Sequence, residues 1–415
     1  MHSLKGLIPT ILTILDLIPF AILLYILKFY YDYFTCSIPY LDPFPLPIIG
    51  NLHQYFYHRN DMSSWHRQLS SRYRGIFELY FGSNKYLMIS DARLVERILN
   101  TAKNNNYFVC IETEKELDKL QKENNGLLFN ADLKSWTFIK KVFVKTIASP
   151  NAIKTAIKFI RNIFQNLKII WDNLIDNQDQ FLNDEQEKFV DIDFIPWSKN
   201  IFAKCIMLLI ANRQFNLLST HYNRISNINP DDQKNSYEEF LDYLVIASDC
   251  MQYYTTVLLF ILTYEDLYKL KYIDTVVKEV LRVRPAMVTI SCFSDNSDQI
   301  DNYKIPASTQ LVINVIGLHM NPKYWKEPTK FNLSRFLLNN NKNNDTFNTN
   351  KNAFMNFGGG LCICFGKQLA IIQLKILVVL LYSKYKIEVL TKDSSIQNNI
   401  NTQCNELKIR IRRRS

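Results

Sequence analysis

Apolar residues recur at helical spacing along much of this chain. In Tyr272–Val283, residues Ile273, Val276, Val277 and Val280 share one face of a 3.6-residue turn, which predicts a helix with a buried stripe. The same pattern predicts helices over 152–174, 196–211 and 237–262, and Trp136 opens another with Trp136-Thr-Phe-Ile-Lys-Lys-Val-Phe-Val. Asp91 stands where a cap belongs, ahead of a helix reaching about Asn100. The run 367–380 is apolar almost throughout and reads as a buried helix. Strand patterns are fewer. Gly75–Gly82 and Lys85–Ser90 read as a hairpin, with further strands at Tyr303–Ile305 and Gln310–Val315. In the tail, Leu407, Ile409 and Ile411 alternate with Lys408, Arg410 and Arg412, the signature of a half-buried strand with a solvated face. The Asn-rich stretch 339–352 is low in complexity and reads as a loop. The fold class is mainly α with small β-sheets.

The N-terminal stretch Leu7–Leu27 is mostly Leu, Ile, Pro, Phe and Ala, and is long enough for a bilayer that needs about 20 residues. Asp16, Pro9 and Pro19 are costly there; a helix lying in the interface or buried in the core is the alternative. No small-residue cleavage site is evident, so an uncleaved single-pass anchor over residues 1–31 is expected, with Phe29, Tyr30, Tyr31, Tyr33 and Phe34 at its interface end. The prolines of Ile38–Gly50 predict a stiff, extended hinge over 32–50. Residues 51–415 then form the body.

Of the 415 residues, 47% are apolar, enough for a large core, and no Pro/Gly/Ser linker divides the body. Eight cysteines without framework spacing argue for a reducing compartment and against a disulfide scaffold. The net charge of +10 suits an acidic electron-transfer partner or an anionic membrane. Because the basic tail alternates with buried positions, a nucleic-acid partner is not expected.

The densest chemistry lies in Phe357-Gly-Gly-Gly-Leu-Cys-Ile-Cys-Phe-Gly366. Consecutive glycines let a backbone pass close to something flat, and Cys364 sits at the N-terminal end of the predicted buried helix. There the unpaired N–H groups favour thiolate over thiol. Such a sulfur can serve as the proximal ligand of a haem iron. A Cys-x-Cys zinc site is the other reading, but it needs two further ligands and no second Cys/His cluster exists.

Phe357, Gly358, Gly360, Cys364 and Gly366 stand in the pattern Phe-Gly-x-Gly-x-x-x-Cys-x-Gly, which resembles the haem-binding loop of the cytochrome P-450 family. The resemblance implies the cytochrome P-450 fold, haem b as cofactor and Cys364 as the iron ligand. Other segments are similar to the family in turn. Glu279 and Arg282, alone a surface ion pair, resemble its Glu-x-x-Arg, which in the family joins an arginine downstream, here Arg335, in a buried structural triad. His319-Met-Asn-Pro-Lys-Tyr-Trp325 resembles the pattern between them. Trp136 and Lys140 occupy the place of a Trp-x-x-x-Arg propionate site, with lysine for arginine; a solvated lysine on an amphipathic helix is the alternative. In Ile246-Ala-Ser-Asp-Cys250, Asp249 and Cys250 fall where the family carries an acid–alcohol pair for proton delivery, with a thiol in place of the hydroxyl; an aspartate on a solvated stripe is the alternative. Cys362 and Ser291–Ser294 stand where the family places two further cationic anchors.

The resemblance runs from the anchor to the tail with two shortenings. Between Ala211 and Tyr237 the family fits several helices, each of ~11–12 residues on average, and this chain has room for one short turn. Thr263–Lys271 is short as well, so the distal lid is expected to be reduced. The implied activity is insertion of one oxygen atom from O2 into an apolar small molecule, with electrons from an NADPH–cytochrome P-450 reductase. The implied location is the endoplasmic-reticulum membrane with a cytosolic catalytic domain. The alternatives are an inactive descendant that keeps a haem-binding or structural role, and a haem-thiolate isomerase or dehydratase.

Overall fold

The computed structural model describes residues 4–35, 43–101, 107–108, 133–211, 270–337, 351–391 and 396–414, apart from short breaks inside these ranges, with isolated positions near 218–222. The helix expected over 237–262 and nearly all of both shortened stretches and of the Asn-rich segment lie outside the described residues, and Asp249, Cys250 and Cys362 with them.

The helices are α1 (Leu4–Thr35), α2 (Leu52–Tyr57), α3 (Met62–Arg72), α4 (Ala92–Thr101), α5 (Leu133–Ile147), α6 (Pro150–Asp176), α7 (Phe194–Ala211), α8 (Leu270–Val283), α9 (Val315–His319), α10 (Ser334–Leu337) and α11 (Lys367–Lys384). Strands β1 (Ile76–Phe81), β2 (Asn84–Ile89), β3 (Tyr107–Phe108), β6 (Thr289–Ser294) and β9 (Thr309–Asn314) form one sheet, while β4 (Phe181–Leu182), β5 (Glu187–Asp193), β10 (Tyr385–Val389) and β13 (Lys408–Arg413) form another. Two small hairpins complete the set, β7 (Asp298–Ile300) with β8 (Tyr303–Ile305), and β11 (Ile396–Asn398) with β12 (Thr402–Cys404). The five-stranded order is β1-β2-β9-β6-β3, with β2 and β9 parallel and the other pairs antiparallel.

The main core is helical. Ile160, Phe164, Leu167 and Trp171 of α6 share one cluster with Phe194, Trp197 and Ile201 of α7, Val276, Val277 and Val280 of α8, and Leu374, Leu377 and Val378 of α11. The positions i, i+3, i+4 and i+7 supply this stripe, as the pattern predicts. Ile409 and Ile411 of β13 close the cluster from the second sheet. The opposite face of β13 is not merely solvated as the alternation suggested. There Arg410 pairs with Asp191 and Arg412 with Glu187 of β5, while Arg413, at the end of the strand on the same side as Ile411, pairs with Asp172 and Asp176 at the end of α6.

Two expectations for the N-terminal region change. The proline hinge is not extended throughout: Leu46 and Gly50 exchange backbone hydrogen bonds at 2.9 and 2.8 Å, closing a tight turn. Gly50, at φ 61°, lets the turn touch β1, since a Cβ there would fall 2.3 Å from the Tyr80 carbonyl oxygen. Buried Asn51 then ties the turn down, donating to the Pro43 carbonyl and accepting from the Tyr80 N–H. Single-pass spanning gains no support, for among the described residues no helix is long and apolar enough to cross a membrane. The end of α1 instead stacks on the body, with Phe29 and Tyr33 against Tyr80 and Tyr30 on Phe44.

His66 of α3 is a discordant element of this core. It is buried beside Trp65, and neither ring nitrogen has a partner among the described residues. Burial pushes its pKa from 6.5 down to about 3. As pH falls below about 6.5 the unfolded chain therefore takes a proton that the native state refuses, and stability declines toward about pH 3. Replacing His66 with leucine is expected to stabilise the protein by about 1–2 kcal/mol near neutral pH, and by more in mild acid. Denaturant midpoints of the two proteins at both pH values check this; an equal or lower midpoint for the variant contradicts it.

Candidate active site

The site is built where the loop after the short helical turn Lys351–Ala353 enters α11. Phe357 and Cys364 close this loop, the Cys364 N–H donating to the Phe357 carbonyl at 2.7 Å. Gly358 and Gly360 lie at φ 70° and 58°, which few side chains tolerate. The close approach made by the glycines is to α4: a Cβ on Gly359 would sit 2.6 Å from Leu99 Cδ1, and one on Gly360 3.1 Å from the Leu99 carbonyl oxygen. Gly366 starts α11, with the Ala370 N–H donating to its carbonyl.

Cys364 is exposed at the N-terminal end of α11. The expected pull of the helix terminus toward thiolate is present, but burial opposes it. Crowding by protein on its other sides pushes the thiol pKa up, against the backbone N–H groups of Gly366 and Lys367 and the charges of Lys140 and Lys367, which pull it down. Low dielectric disfavours the anion more than a helix terminus favours it.

From across the loop, α5 presents Trp136, Lys140 and Phe143, positions i, i+4 and i+7 of one face. Trp136 is buried, and the Lys140 ammonium lies 4.6 Å from the centroid of its ring. Lys140 also lies close enough to Cys364 to act on its titration. Phe143 meets Phe365 edge-to-face at 4.6 Å, which fixes α5 on the loop. The sequence reading missed Phe143, although its spacing from Trp136 carried the signal. An exposed thiol flanked by N–H groups, a tryptophan and a lysine fits a thiolate-ligated haem with anionic side groups. Lys367, over the Phe357 ring, is a second cation at the loop.

Behind the loop, Glu279 and Arg282 of α8 are wholly buried, and Arg335 of α10 nearly so. Arg282 donates to Glu279 from Nε and Nη2 at 2.8 and 2.7 Å, and to the carbonyls of His319, Pro328 and Lys330, so each of its N–H groups has an acceptor. Arg335 Nε reaches Glu279 Oε1 at 3.3 Å, and the Asn332 N–H donates to the same oxygen at 2.8 Å. Read alone the Glu279–Arg282 pair is a surface bridge; here it is dry. Glu279→Gln is expected to cost about 3–5 kcal/mol, because the Arg282 charge stays buried without its counter-ion. Urea denaturation is the check, and a loss below about 1 kcal/mol would mean that the pair behaves like an exposed one.

The chain has relatives in both fold and sequence. The heme domain of cytochrome P450DA superposes with a TM-score of 0.68 at 16% identity, over 91% of this chain and 98% of that one. A triple mutant of the same heme domain gives 0.66 at 17%, over 92% and 98%. Cytochrome P450 3A18 of Rattus norvegicus is 32% identical over 126 residues, 30% of this chain and 24% of the relative. Cytochrome P450 3A25 of Mus musculus is 35% identical over 117 residues, 28% and 22%. The Probable cytochrome P450 508C1 of Dictyostelium discoideum is 32% identical over 142 residues, 34% and 27%. These alignments span about a quarter of each relative's length. The family model described as Cytochrome P450 matches residues 41–259 and 229–411, nearly the whole chain. Members of that family bind haem b with its iron on a cysteine thiolate. With its helical core, small sheets and cysteine loop, this chain has the cytochrome P450 fold and belongs to the cytochrome P450 family.

Proposed function

We propose that this protein is a haem-thiolate monooxygenase that inserts one oxygen atom of O2 into an apolar small molecule, with electrons from an NADPH-dependent reductase. The observation that carries the reading is the exposed Cys364 thiol at the start of α11, in a loop held by the Phe357 carbonyl and faced by Trp136 and Lys140. Haem b, when bound, supplies dioxygen activation, and thiolate donation favours O–O cleavage. Cys364 supplies the sulfur, and a coordinating metal deprotonates a thiol that its surroundings alone keep neutral. Lys140 offers a cation to a propionate, without the two-pronged grip of an arginine. Phe357, Gly358, Gly360 and Gly366 shape the loop, and the Glu279–Arg282–Arg335 cluster holds it from behind. Asp249, with Cys250 as a weak donor, delivers protons.

Residues 51–415 form the catalytic domain, 32–50 the hinge, and 1–31 a membrane-associating helix on the endoplasmic reticulum with the body in the cytosol. Ile18–Tyr25 of α1 are exposed on every side, including Phe20, Ile22, Leu23 and Leu24, and a helix apolar all round suits lipid. A second reading, a family member that binds haem without monooxygenase activity, is favoured by Lys140, which offers a propionate a point charge where an arginine would offer a fork.

Cys364→Ala is expected to abolish the red-shifted Soret band of the dithionite-reduced, CO-treated protein; a band that survives the substitution rejects Cys364 as ligand. NADPH consumption matched by hydroxylated product separates the first reading from the second. Full-length protein is expected to sediment with phospholipid vesicles, and a form lacking residues 1–31 to stay in the supernatant. Equal partitioning of the two would remove the membrane role of α1.

A further inference from the structure

His319, the last residue of α9, makes a set of contacts that the ion-pair cluster alone does not explain. Its side chain is wholly buried. Arg282 Nη1 donates to the His319 carbonyl at 3.0 Å, and in return His319 Nδ1 lies 3.1 Å from the Arg282 carbonyl oxygen. On the other edge of the ring, the Met355 backbone N–H donates to Nε2 at 3.0 Å. Phe354 stacks on the imidazole with ring centroids 5.5 Å apart and planes at 23°.

These partners dictate one protonation state. An amide N–H can only donate, so Nε2 must carry a lone pair. A carbonyl oxygen can only accept, so Nδ1 must carry the proton. The ring is therefore neutral with its hydrogen on Nδ1. Burial, with the Arg282 cation beside it, holds the pKa down at about 3, which keeps that state through the physiological range.

The ring also joins two parts of the site. Arg282 is locked to Glu279 on one side. Met355 on the other lies two residues before Phe357, whose carbonyl takes the Cys364 N–H. A hydrogen-bonded route thus runs from the ion-pair core through an imidazole to the loop that carries the thiol.

We propose that His319 is a positioning residue: its neutral ring clamps the Cys364 loop to the Arg282 end of α8 and thereby sets where the thiol stands. This rests on the reading of Cys364 as the iron ligand.

The test uses the full chain. His319→Phe keeps a flat ring for Phe354 but loses both nitrogen contacts, whereas His319→Gln offers one donor and one acceptor. Hydrogen exchange of residues 355–364 is measured on haem-free protein, and the Soret band of the reduced CO complex on haem-loaded protein. In folded His319→Phe, exchange is expected to rise about tenfold, the scale of one lost buried hydrogen bond, and the thiolate share of the Soret band to fall severalfold. His319→Gln should recover part of both. A general loss of stability would lower the melting temperature and leave the spectrum of the folded fraction unchanged, and that pattern overturns the proposal. Wild-type exchange and spectrum in the Phe variant overturn it as well. If that variant does not fold, 15N NMR of the wild-type histidines decides: a neutral Nδ1–H signal supports the clamp, and a charged or Nε2–H ring near neutral pH overturns it. A wild-type protein with no thiolate band counts against the ligand reading, while exchange on haem-free protein still decides the clamp.

Discussion

The buried pair of Glu279 and Arg282 is the constraint around which α8, α9, α10 and the chain between them are arranged. Two charges taken wholly out of water cost several kcal/mol each unless every polar atom is matched. Here the matching comes from far along the chain: the carbonyls of His319, Pro328 and Lys330, the N–H of Asn332, and Arg335 as a second cation. Each of these acceptors and donors has to be in place before the pair is tolerable. The segment from α9 to α10 is thus bound to wrap α8, although it contains little regular structure.

That wrapping brings His319 against Arg282 on one edge and against the Met355 N–H, just before the cysteine loop, on the other. α8 and α11 share one hydrophobic cluster, so the start of α11 is set by packing, while the path into it is set by polar contacts. Glycines at 359 and 360 bring the loop against Leu99, and Phe143 bears on Phe365 from the other side. Cys364 ends at the junction of three independent restraints. Its titration shows the same competition: backbone N–H groups and two lysines favour the anion, and the surrounding protein disfavours it more.

Much of this was readable from residue order. The hydrophobic period located α6, α7 and α8 to within a few residues, since burial of a stripe leaves a local mark at i, i+3, i+4 and i+7. The alternation Leu407, Ile409, Ile411 located the last strand for the same reason. The folded-back turn at Leu46–Gly50 was not readable, because prolines announce stiffness without saying which way the chain bends. Nor was the pairing of Arg410, Arg412 and Arg413, whose carboxylate partners lie in β5 and α6, more than two hundred residues away in sequence. Phe143 was legible in principle from its helical spacing to Trp136, but nothing local says which face of α5 meets the loop.

By itself the sequence determined the main amphipathic helices, the hairpin and last strand, and the glycine–cysteine loop, because these depend on local spacing and side-chain chemistry, whereas it left the helix Met62–Arg72 and the strands Glu187–Asp193, Thr289–Ser294 and Tyr385–Val389 unannounced. The family resemblance already implied that Glu279, Arg282 and Arg335 are buried together; only the tertiary structure decided which distant carbonyls and N–H groups match them, that burial opposes ionisation of Cys364, and that His319 stands between Arg282 and Met355. Burial and electrostatic balance are sums over neighbours from distant segments, and no short stretch of sequence contains that sum.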